Sequence, residues 1–311
     1  MQENQHKASI VDDAGRLKLL VQYIGDLNID SINMGSFQKF IGVRRQEGIA
    51  TRTINHALQV TRRILNLAAS EWIDENGLTW LSFPPKISLL KETDKREPSS
   101  LNWDEQDRLF NELPNHLKKM ALFKVNTGCR EQEVCKLRWE WEIQIPELGT
   151  SIFVIPKRFN INGVNRSLVK NGEHRLVILN NIAKSVVDQV RGEHQQYVFT
   201  YNNHPVTAIN NSAWRKARKR ANLEHVRVHD LKHTFGRRLR AAGVSFEDRQ
   251  DLLGHKSTRI TTHYSPAELE NLLEAANKVC DRKNCGTAIN LVAYSQMTTR
   301  SRKKHANPLR I

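Results

Sequence analysis

The sequence predicts a mainly α-helical protein with a small antiparallel β-sheet: an all-α helical domain followed by an α+β domain. Apolar residues recur with the spacing of one helical face over most of the chain. Alternation typical of strands is confined to a central segment, residues 139–179. A charged stretch with a proline and two serines, residues 91–100, separates the two parts, and this linker-like composition begins as early as Lys86.

The N-terminal domain, residues 1–90, is predicted to consist of helices. A shared apolar face begins near Gly15, and a second helix is expected from Asn33 to Glu47. The clearest helix runs from Thr51 to Trp72, where an unbroken apolar stripe indicates one buried face. We therefore expect a small helical bundle ahead of the linker at residues 91–100.

The second domain, residues 101–280, is predicted to mix helices and strands. Asn102 followed by Glu105 is typical of a capped helix start. Further helices are expected from Pro114, from Arg130, at Ile182–Glu193 and at Asn210–Ala221. Strands are predicted at Trp139–Ile145, Ile152–Ile155, 166–170 and 174–179, the last two joined by the hairpin turn Asn171-Gly172.

Residues 229–266 are predicted to form three short helices. Gly243 and Gly254 would end the first two, because glycine readily adopts the left-handed conformation that closes a helix. Ser245 would open the second helix, and Ser257 or Thr258 would open the third.

A last helix is expected from Pro266 to Lys278, opened by Ser265 and Glu268. Its narrow apolar face could pack on its own domain or on a neighbouring copy, and we treat it as a candidate contact between protomers. Residues 281–311 lose periodicity and form a basic tail, predicted to be disordered and able to touch DNA.

The charge balance favours a polyanionic partner. The chain of 311 residues has 48 Lys and Arg against 33 Asp and Glu, a net charge of +15. Such an excess most often indicates nucleic acid, although a basic protein without that partner remains an alternative. Two helices carry dense basic faces that could be solvated surfaces or phosphate contacts: Arg52, Arg62 and Arg63 in the first, and Arg215, Lys216, Arg218 and Lys219 in the second.

Several classes of protein are disfavoured by what the sequence lacks. The four cysteines are too scattered for a disulfide scaffold or a zinc site and predict reduced thiols. No apolar run reaches the ~18 residues of a membrane span, and the N-terminus has no signal core. We expect no membrane association, no metal and no other cofactor, and a cytoplasmic location in a bacterial nucleoid or a phage-infected cell.

Four polar residues in the region of short helices indicate phosphodiester chemistry. His229, Lys232, His255 and Tyr264 fall near predicted helix ends, where side chains can converge. A phosphodiester transfer without metal needs a nucleophile, a proton donor and positive charge around the transition state. A deprotonated tyrosine could attack phosphorus and conserve the bond energy in a phosphotyrosine. Arg130, after Gly128, could contribute a further cation.

The ordered motifs TGCREQEVCKL, VKNGEHRLVIL, HDLKHTF, LLGH and THYSP resemble the catalytic domain of the tyrosine recombinases, the phage integrase family. The resemblance covers Asn102 to Val279. The N-terminal helices are similar, less specifically, to the core-binding domain of that family. The resemblance implies a DNA-clamping helical domain and an α+β catalytic domain.

The resemblance also implies roles for residues. Arg130 matches the first catalytic arginine, which clamps the scissile phosphate, and Glu133 matches an acidic residue that supports the site. Lys170 matches a mobile lysine that protonates the leaving 5′-oxygen. His255 matches a histidine that donates to a phosphate oxygen. Tyr264 matches the nucleophile that forms a 3′-phosphotyrosyl link.

One position departs from the family pattern. His229 matches the first histidine of the H-x-x-R box, but Lys232 stands where that box ends in arginine. Lysine keeps the charge and loses the planar fork that grips two phosphate oxygens. We expect activity to survive at a reduced rate. A catalytically decayed recombinase or DNA-binding regulator remains an alternative, as does a type IB topoisomerase.

We therefore expect a site-specific DNA recombinase or integrase of a phage or mobile element, independent of metal and ATP. Its partners would be double-stranded DNA, three further copies in a homo-tetramer on DNA, and accessory DNA-bending proteins. We expect no additional arm-binding domain before the first helix, and therefore a simple recombinase or a shortened integrase.

Overall fold

The structure is a computed structural model that describes residues 9–161, 164–166, 169, 173–255 and 265–280. The chain divides into two compact units, residues 1–97 and 98–311. The fold is mainly helical with a small antiparallel sheet, so the predicted fold class is confirmed. No helix in these described ranges combines the length and apolarity needed to cross a bilayer.

The first unit is built from α1 (Ile10–Ile24), α2 (Gln38–Gln46) and α3 (Thr51–Ser70). Its core forms around α3, because the stripe read from the sequence is buried and packs against the other two helices. The second predicted helix starts with a 3₁₀ turn, Met34–Phe37, and Asn33 caps that turn by accepting a hydrogen bond from the Gly35 N–H. Tyr23 and Phe40 pack edge to face, with ring centroids 5.5 Å apart.

The start of the predicted linker is held against the first unit. Ile87 is buried in its core. The side chain of buried Asn55 donates to the carbonyl of Leu90 at 2.9 Å and accepts from the Leu90 N–H at 2.8 Å. Asp94 accepts from the N–H of Thr51 at 2.7 Å. The charged composition did not indicate these contacts of Ile87 and Leu90, so the part of the chain just after Lys86 belongs to the first unit. The linker at residues 91–100 stays a prediction.

Helices dominate the second unit, with α5 at its centre. Nearly every residue from Leu117 to Thr127 on one broad face of α5 is buried, and the helix contacts both α7 and α9. The capping box of Asn102 and Glu105 is formed as predicted. The helices of this unit are α4 (Trp103–Glu112), α5 (Asn115–Thr127), α6 (Glu131–Cys135), α7 (Asn181–Val190), α8 (Ser212–Arg220), α9 (Asp230–Ala241), α10 (Phe246–Leu253) and α11 (Pro266–Asn277).

The sheet of the second unit is antiparallel, with strand order β1-β2-β5. Phe153 on the middle strand is opposite Val177 on β5, and both side chains are fully buried. Two short hairpins accompany the sheet, β3 with β4 and β6 with β7. The strands are β1 (Glu142–Ile145), β2 (Thr150–Ile155), β3 (Phe159–Ile161), β4 (Val164–Arg166), β5 (Arg175–Ile178), β6 (Thr200–Tyr201) and β7 (His204–Pro205).

One strand prediction needs correction. Trp139–Trp141 forms a 3₁₀ turn, because the Trp139 indole N–H bonds to the His194 carbonyl at 3.0 Å and the Trp141 ring packs on Phe159. Of the predicted strand 166–170 the structure describes residues 166 and 169 alone, so its pairing with residues 174–179 stays a prediction. Among the described strands, β5 pairs with β2 and β4 pairs with β3. The turn residues Asn171 and Gly172 lie outside the described residues.

The helix ends around residues 229–266 follow the sequence signals. Gly243 and Gly254 have φ values of 71° and 58°, in the left-handed region, after α9 and α10. Ser245 caps α10 through a 3.0 Å hydrogen bond from the Asp248 N–H. The third short helix, expected from Ser257 or Thr258, falls outside the described residues.

The apolar face of α11 packs on its own unit. Leu269, Leu272 and Ala276 are buried in one cluster with residues of β5, α9 and α10. The Asn180 side chain donates to the Ala276 carbonyl at 3.3 Å, and Asn277 accepts from the Asn181 N–H at 2.8 Å. Of the two alternatives read from the sequence, packing on the same domain is the one found in this chain. A contact between protomers through this helix stays a prediction.

Candidate active site

Arg130 lies at the N-terminus of α6, directly after a sharp turn. Gly128 ends α5 with φ of 63°, and residues 127–130 form what we call the α5 turn. Arg130 donates to both oxygens of Glu133, its backbone N–H to Oε2 and its Nη1 to Oε1, each at 2.7 Å. Its side chain retains 20% exposure while that of Glu133 has none. The guanidinium is therefore fixed at one end and open to a ligand at the other.

Glu133 is the buried carboxylate among the cations of this region. Burial alone would raise the pKa of Glu133, but the charge of Arg175 and the two hydrogen bonds from Arg130 outweigh it. Together they hold the pKa of the carboxyl below its ordinary value. Glu133 is thus ionised at neutral pH and orients Arg130 through a charge-assisted pair.

Lys232 lies one turn into α9 and reaches into the protein. Its Nζ donates to the Gly128 carbonyl at 2.7 Å and to the Leu253 carbonyl, and the residue is 5% exposed. Burial, supported by the positive charges of Arg175 and Arg130, lowers the pKa of Lys232 to about 7. The lysine therefore bridges two turns of the backbone instead of pointing out as a free cation.

The two histidines flank this lysine. His229 is the N-cap of α9 and packs edge to face on His233, with ring centroids 4.8 Å apart. Desolvation, followed by the charges of His233, Lys124 and Lys232, lowers its pKa to about 4. A neutral imidazole at this position can donate or accept a hydrogen bond at neutral pH.

His255 is exposed directly after Gly254, and we call residues 251–255 the α10 turn. Its backbone N–H donates to the Gln250 carbonyl at 2.9 Å. Partial burial and then the charges of Lys232, Arg130 and Arg175 lower the pKa of the imidazole. The same charges act on both the lysine and His255, which is the electrostatic signature of a shared, cationic site.

Two further buried cations were missed by sequence reasoning. Arg175, the first residue of β5, is 2% exposed and donates to carbonyls of both turns. Lys124 of α5 is fully buried and its Nζ donates to the Cys129 carbonyl, while burial lowers its pKa to about 8. The sequence did not indicate a role at the site for Arg175, because it opens an apolar strand, or for Lys124, because it lies on an ordinary helix.

Hydrogen bonds to backbone carbonyls hold the buried cations in position. The last carbonyls of a helix have no partner within the helix and carry the negative end of its dipole. Arg175 and Lys232 bind such carbonyls at the ends of α5 and α10. Lys124 binds the carbonyl of Cys129, just beyond the end of α5. The cationic character of the site therefore follows from helix geometry as well as from motif residues.

The structure thus brings Arg130, Glu133, His229, Lys232 and His255 together from three segments of the chain. Lys170 and Tyr264 lie outside the described residues. Tyr264 directly precedes Ser265, the N-cap of α11. Among the described residues, no three His, Cys, Asp or Glu side chains converge as ligands of a metal ion.

The basic residues predicted to contact DNA differ in their exposure. On α3, Arg52, Arg62 and Arg63 are exposed, opposite the buried stripe. On α8, three of the four predicted residues are exposed: Arg215, Lys216 and Lys219. The Arg218 guanidinium instead donates to the carbonyls of Glu224, at 2.7 Å, and Val226. This arginine closes the loop after α8 and is half-buried.

A basic cleft extends from the site along α9 and α10. His229, Lys232 and His255 line one part of it, and Trp103 and Phe246 contribute aromatic surface. Arginines that the sequence analysis did not select also line it, among them Arg237, Arg240 and Arg249. The first two are three residues apart on α9, a spacing that places them on one face and could have identified them.

The model of the phage integrase family matches residues 99–279. The integrase of Salmonella phage P22 is 25% identical, with 90% of this chain and 77% of that protein covered. Tyrosine recombinase XerC of Bacillus subtilis is 22% identical, with 91% of this chain and 95% of that protein covered.

Two solved structures share the fold. The Tn1549 transposon integrase (residues 82–397) in complex with circular intermediate DNA has a TM-score of 0.63 at 16% identity, covering 86% of this chain and 95% of that one. The lambda integrase (residues 75–356) dimer bound to a COC′ core site has a TM-score of 0.60 at 14% identity, covering 83% and 92%.

The fold and the similar proteins are those of a tyrosine recombinase. The chain belongs to the phage integrase family. The resemblance read from the motifs is therefore confirmed.

Proposed function

We propose that this protein is a site-specific DNA recombinase that cleaves and rejoins strands through a 3′-phosphotyrosyl intermediate. The observation that carries the proposal is the convergence of Arg130, Lys232 and His255 beside the buried carboxylate Glu133. A phosphodiester gains negative charge on its non-bridging oxygens in the transition state, and fixed cationic donors stabilise that charge. The cleavage chemistry would need neither metal nor ATP.

The reaction would begin with attack of the Tyr264 oxygen on the scissile phosphorus. The new bond joins that oxygen to phosphorus, the phenolic proton is released, and the bond from phosphorus to the 5′-oxygen breaks. Lys170 would give a proton to this leaving oxygen. In the second half, a 5′-hydroxyl from the other duplex attacks the phosphotyrosine, restores the phosphodiester and frees the tyrosine.

Arg130 and His255 would donate hydrogen bonds to the non-bridging oxygens. Arg130 is suited to this because Glu133 binds its Nη1, at 2.7 Å, and leaves other N–H groups of the fork for phosphate. Lys232 would act through the charge it holds between the two turns. Lys232 Nζ donates hydrogen bonds to two backbone carbonyls. These specific contacts favour a working site over a decayed one.

Duplex DNA would lie across the exposed basic surfaces. We place phosphate contacts on Arg52, Arg62 and Arg63 in the first unit, and on Arg215, Lys216 and Lys219 in the second. The cleft arginines Arg237, Arg240 and Arg249 join this set. Phosphate contacts position a protein on DNA without reading sequence, so the choice of target is left to other groups.

Recombination of two duplexes requires four strand cleavages, which favours a homo-tetramer on DNA. The lambda integrase neighbours include a tetramer bound to a Holliday junction. Accessory DNA-bending proteins would assist assembly. We infer a cytoplasmic location, in the nucleoid or an infected cell, because the substrate is there.

The proposal is tested with a duplex nicked near the cleavage position, which traps the covalent adduct. Wild type is expected to form a denaturant-resistant protein–DNA link whose peptide maps to Tyr264, and Tyr264→Phe is expected to bind the duplex and form none. A persistent adduct in Tyr264→Phe would refute the assignment of the nucleophile. Relaxation of any supercoiled plasmid regardless of sequence would favour the type IB topoisomerase.

A further inference from the structure

The α5 turn and the α10 turn carry different parts of the candidate site and meet in space. Arg130 ends the first turn, and His255 ends the second. A Cβ atom added to Gly128 would lie 2.7 Å from Phe235 Cδ1 and 3.0 Å from Leu253 Cδ2. One added to Gly254 would lie 2.4 Å from Cδ of Arg175. The two turns and the arginine therefore pack without spare volume.

Arg175 binds the backbone of both turns at once. Its Nη1 donates to the Asp251 carbonyl at 2.7 Å, and its Nη2 donates to the Leu252 carbonyl at 2.6 Å. The same Nη2 donates to Thr127 in the α5 turn at 3.3 Å. Lys232 makes a second crossing, from Gly128 to Leu253. Each cation thus ties one turn to the other.

We propose that Arg175 is a positioning residue for strand cleavage, which fixes the spacing between Arg130 and His255 by joining the α5 turn to the α10 turn. The inference rests on the proposed recombinase function. Arg175 is 2% exposed, so it acts through these turns and not by touching DNA. A small displacement of two groups that must hold one phosphate is costly, because catalysis depends on their preset geometry.

The identity of the side chain matters for this role. A planar guanidinium can direct separate N–H groups at three carbonyls, whereas a lysine offers one nitrogen. Arg175→Lys keeps the charge and loses part of the network. Arg175→Met loses both charge and network and leaves the carbonyls of Thr127, Asp251 and Leu252 without this donor.

Arg175 also acts on Lys232 electrostatically. After burial, its charge is the largest influence that lowers the pKa of Lys232. The other charged or titratable groups that face this lysine are Arg130, Glu133 and Cys129 around the α5 turn, His229 on its own helix, and His255 on the α10 turn. Removing the arginine would therefore move the titration of the lysine to higher pH.

The test compares Arg175→Lys and Arg175→Met with Arg191→Met. Arg191 is a matched control, because it binds Glu142 through two N–H groups at 2.7 and 2.9 Å but is 45% exposed at the surface. At saturating nicked duplex, the rate of adduct formation should fall by about 100-fold in Arg175→Met and by about 10-fold in Arg175→Lys. The affinity for duplex should stay near wild type in all three variants.

Two readouts separate positioning from simple destabilisation. Hydrogen exchange of peptides over residues 127–130 and 251–255 should accelerate together in Arg175→Met and not in Arg191→Met. The second readout is the pH above which the rate of adduct formation falls. This pH should be higher in Arg175→Met than in wild type and unchanged in Arg175→Lys. Unchanged adduct rates at saturating DNA, or exchange that rises in only one turn, would overturn the proposal.

The two proposals can fail separately. A wild type that forms no adduct would defeat the recombinase function, while hydrogen exchange would still report whether Arg175 joins the turns. If Arg175→Met does not fold, Arg175→Lys decides by the same criteria, because it retains the charge and part of the network.

Discussion

The exposed arginines of α3 and the buried cations of the two turns contain the same residue types in opposite environments. Arg52, Arg62 and Arg63 stand in solvent on one helix. Arg175 and Lys232 are almost completely buried and bind backbone carbonyls. Charges on a surface are screened by salt and individually replaceable, whereas buried charges depend on specific partners. One set should govern affinity and the other should govern the chemical step.

Among substitutions of the described arginines and lysines, the largest effect should come from Arg130→Lys. The variant keeps the charge but loses the planar fork that can bind Glu133 and phosphate together. We expect adduct formation on a nicked duplex to slow by about 100- to 1000-fold, as when a fixed transition-state donor is removed. Binding to duplex, followed by fluorescence anisotropy, should change little.

Arg63→Lys is the control for that substitution, since the same exchange is made on an exposed helix face. It should leave the adduct rate at saturating DNA unchanged. Equal losses in the two variants would erase the distinction between surface charge and site charge.

Lys232→Arg should change the pH dependence of cleavage. The pKa of Lys232 is lowered to about 7, so its protonated, charged form declines as the pH rises through that value. The wild-type adduct rate should therefore fall above neutrality, by about tenfold for each further pH unit if this charge is required. Arginine stays protonated in proteins and should remove this limb.

Single-turnover adduct rates at several pH values measure this limb, with thermal unfolding as a check that the larger side chain is accommodated. A limb that persists unchanged in Lys232→Arg would assign the titration to another group. Lys119→Arg is a suitable control, because this lysine forms an ion pair with Glu193 at 2.8 Å elsewhere in the same unit.

Replacing Arg52, Arg62 and Arg63 with alanine together should weaken DNA binding without affecting folding. Each lost phosphate contact should reduce the slope of log affinity against log salt by about 0.9, or about 2.7 for three. The free energy of unfolding should change by less than about 0.5 kcal/mol per site, as for surface positions.

Arg44→Ala, which removes an ion pair with Glu47 in the same unit, provides the comparison. If the slope of log affinity against log salt in the triple variant equals that of wild type, α3 does not contact DNA. A large loss of unfolding free energy would mean that its arginines are structural.

The smallest effect should distinguish two neighbours on α8. Arg218→Ala removes donors to the carbonyls of Glu224 and Val226 and should lower the free energy of unfolding by about 1–2 kcal/mol. Arg215→Ala should leave stability unchanged and slightly reduce the salt slope. Denaturant titration and anisotropy would measure both, and identical stabilities would contradict the closing role of Arg218.

Much of the fold could be predicted from signals within short stretches of sequence. The capping boxes at Asn102 and Ser265 and the closing glycine at position 254 are recorded within a few residues of sequence, and the structure has them all. The motif residues around the α5 turn were recognisable for the same reason. A cap needs only its neighbours along the chain to form.

Interactions between distant segments could not be read in this way. Arg175 bonds to carbonyls 48 to 77 positions away in sequence, and a strand-opening arginine gives no sign of that. The pairing of β5 with β2 and the hydrogen bonds between Leu90 and Asn55 could not be read from the sequence either, because both join segments that are distant along the chain. Side chains that satisfy backbone groups leave no periodic pattern.

The burial of α11 has a consequence for the free protein. Leu269 and Leu272 contribute about 1.5–3 kcal/mol each when fully buried, and their own unit supplies the surface that covers them. The core of the second unit is therefore closed without a neighbouring chain. The melting temperature of the free protein should therefore not depend on protein concentration. Assembly should instead follow mass action, because binding to DNA raises the local concentration of protomers.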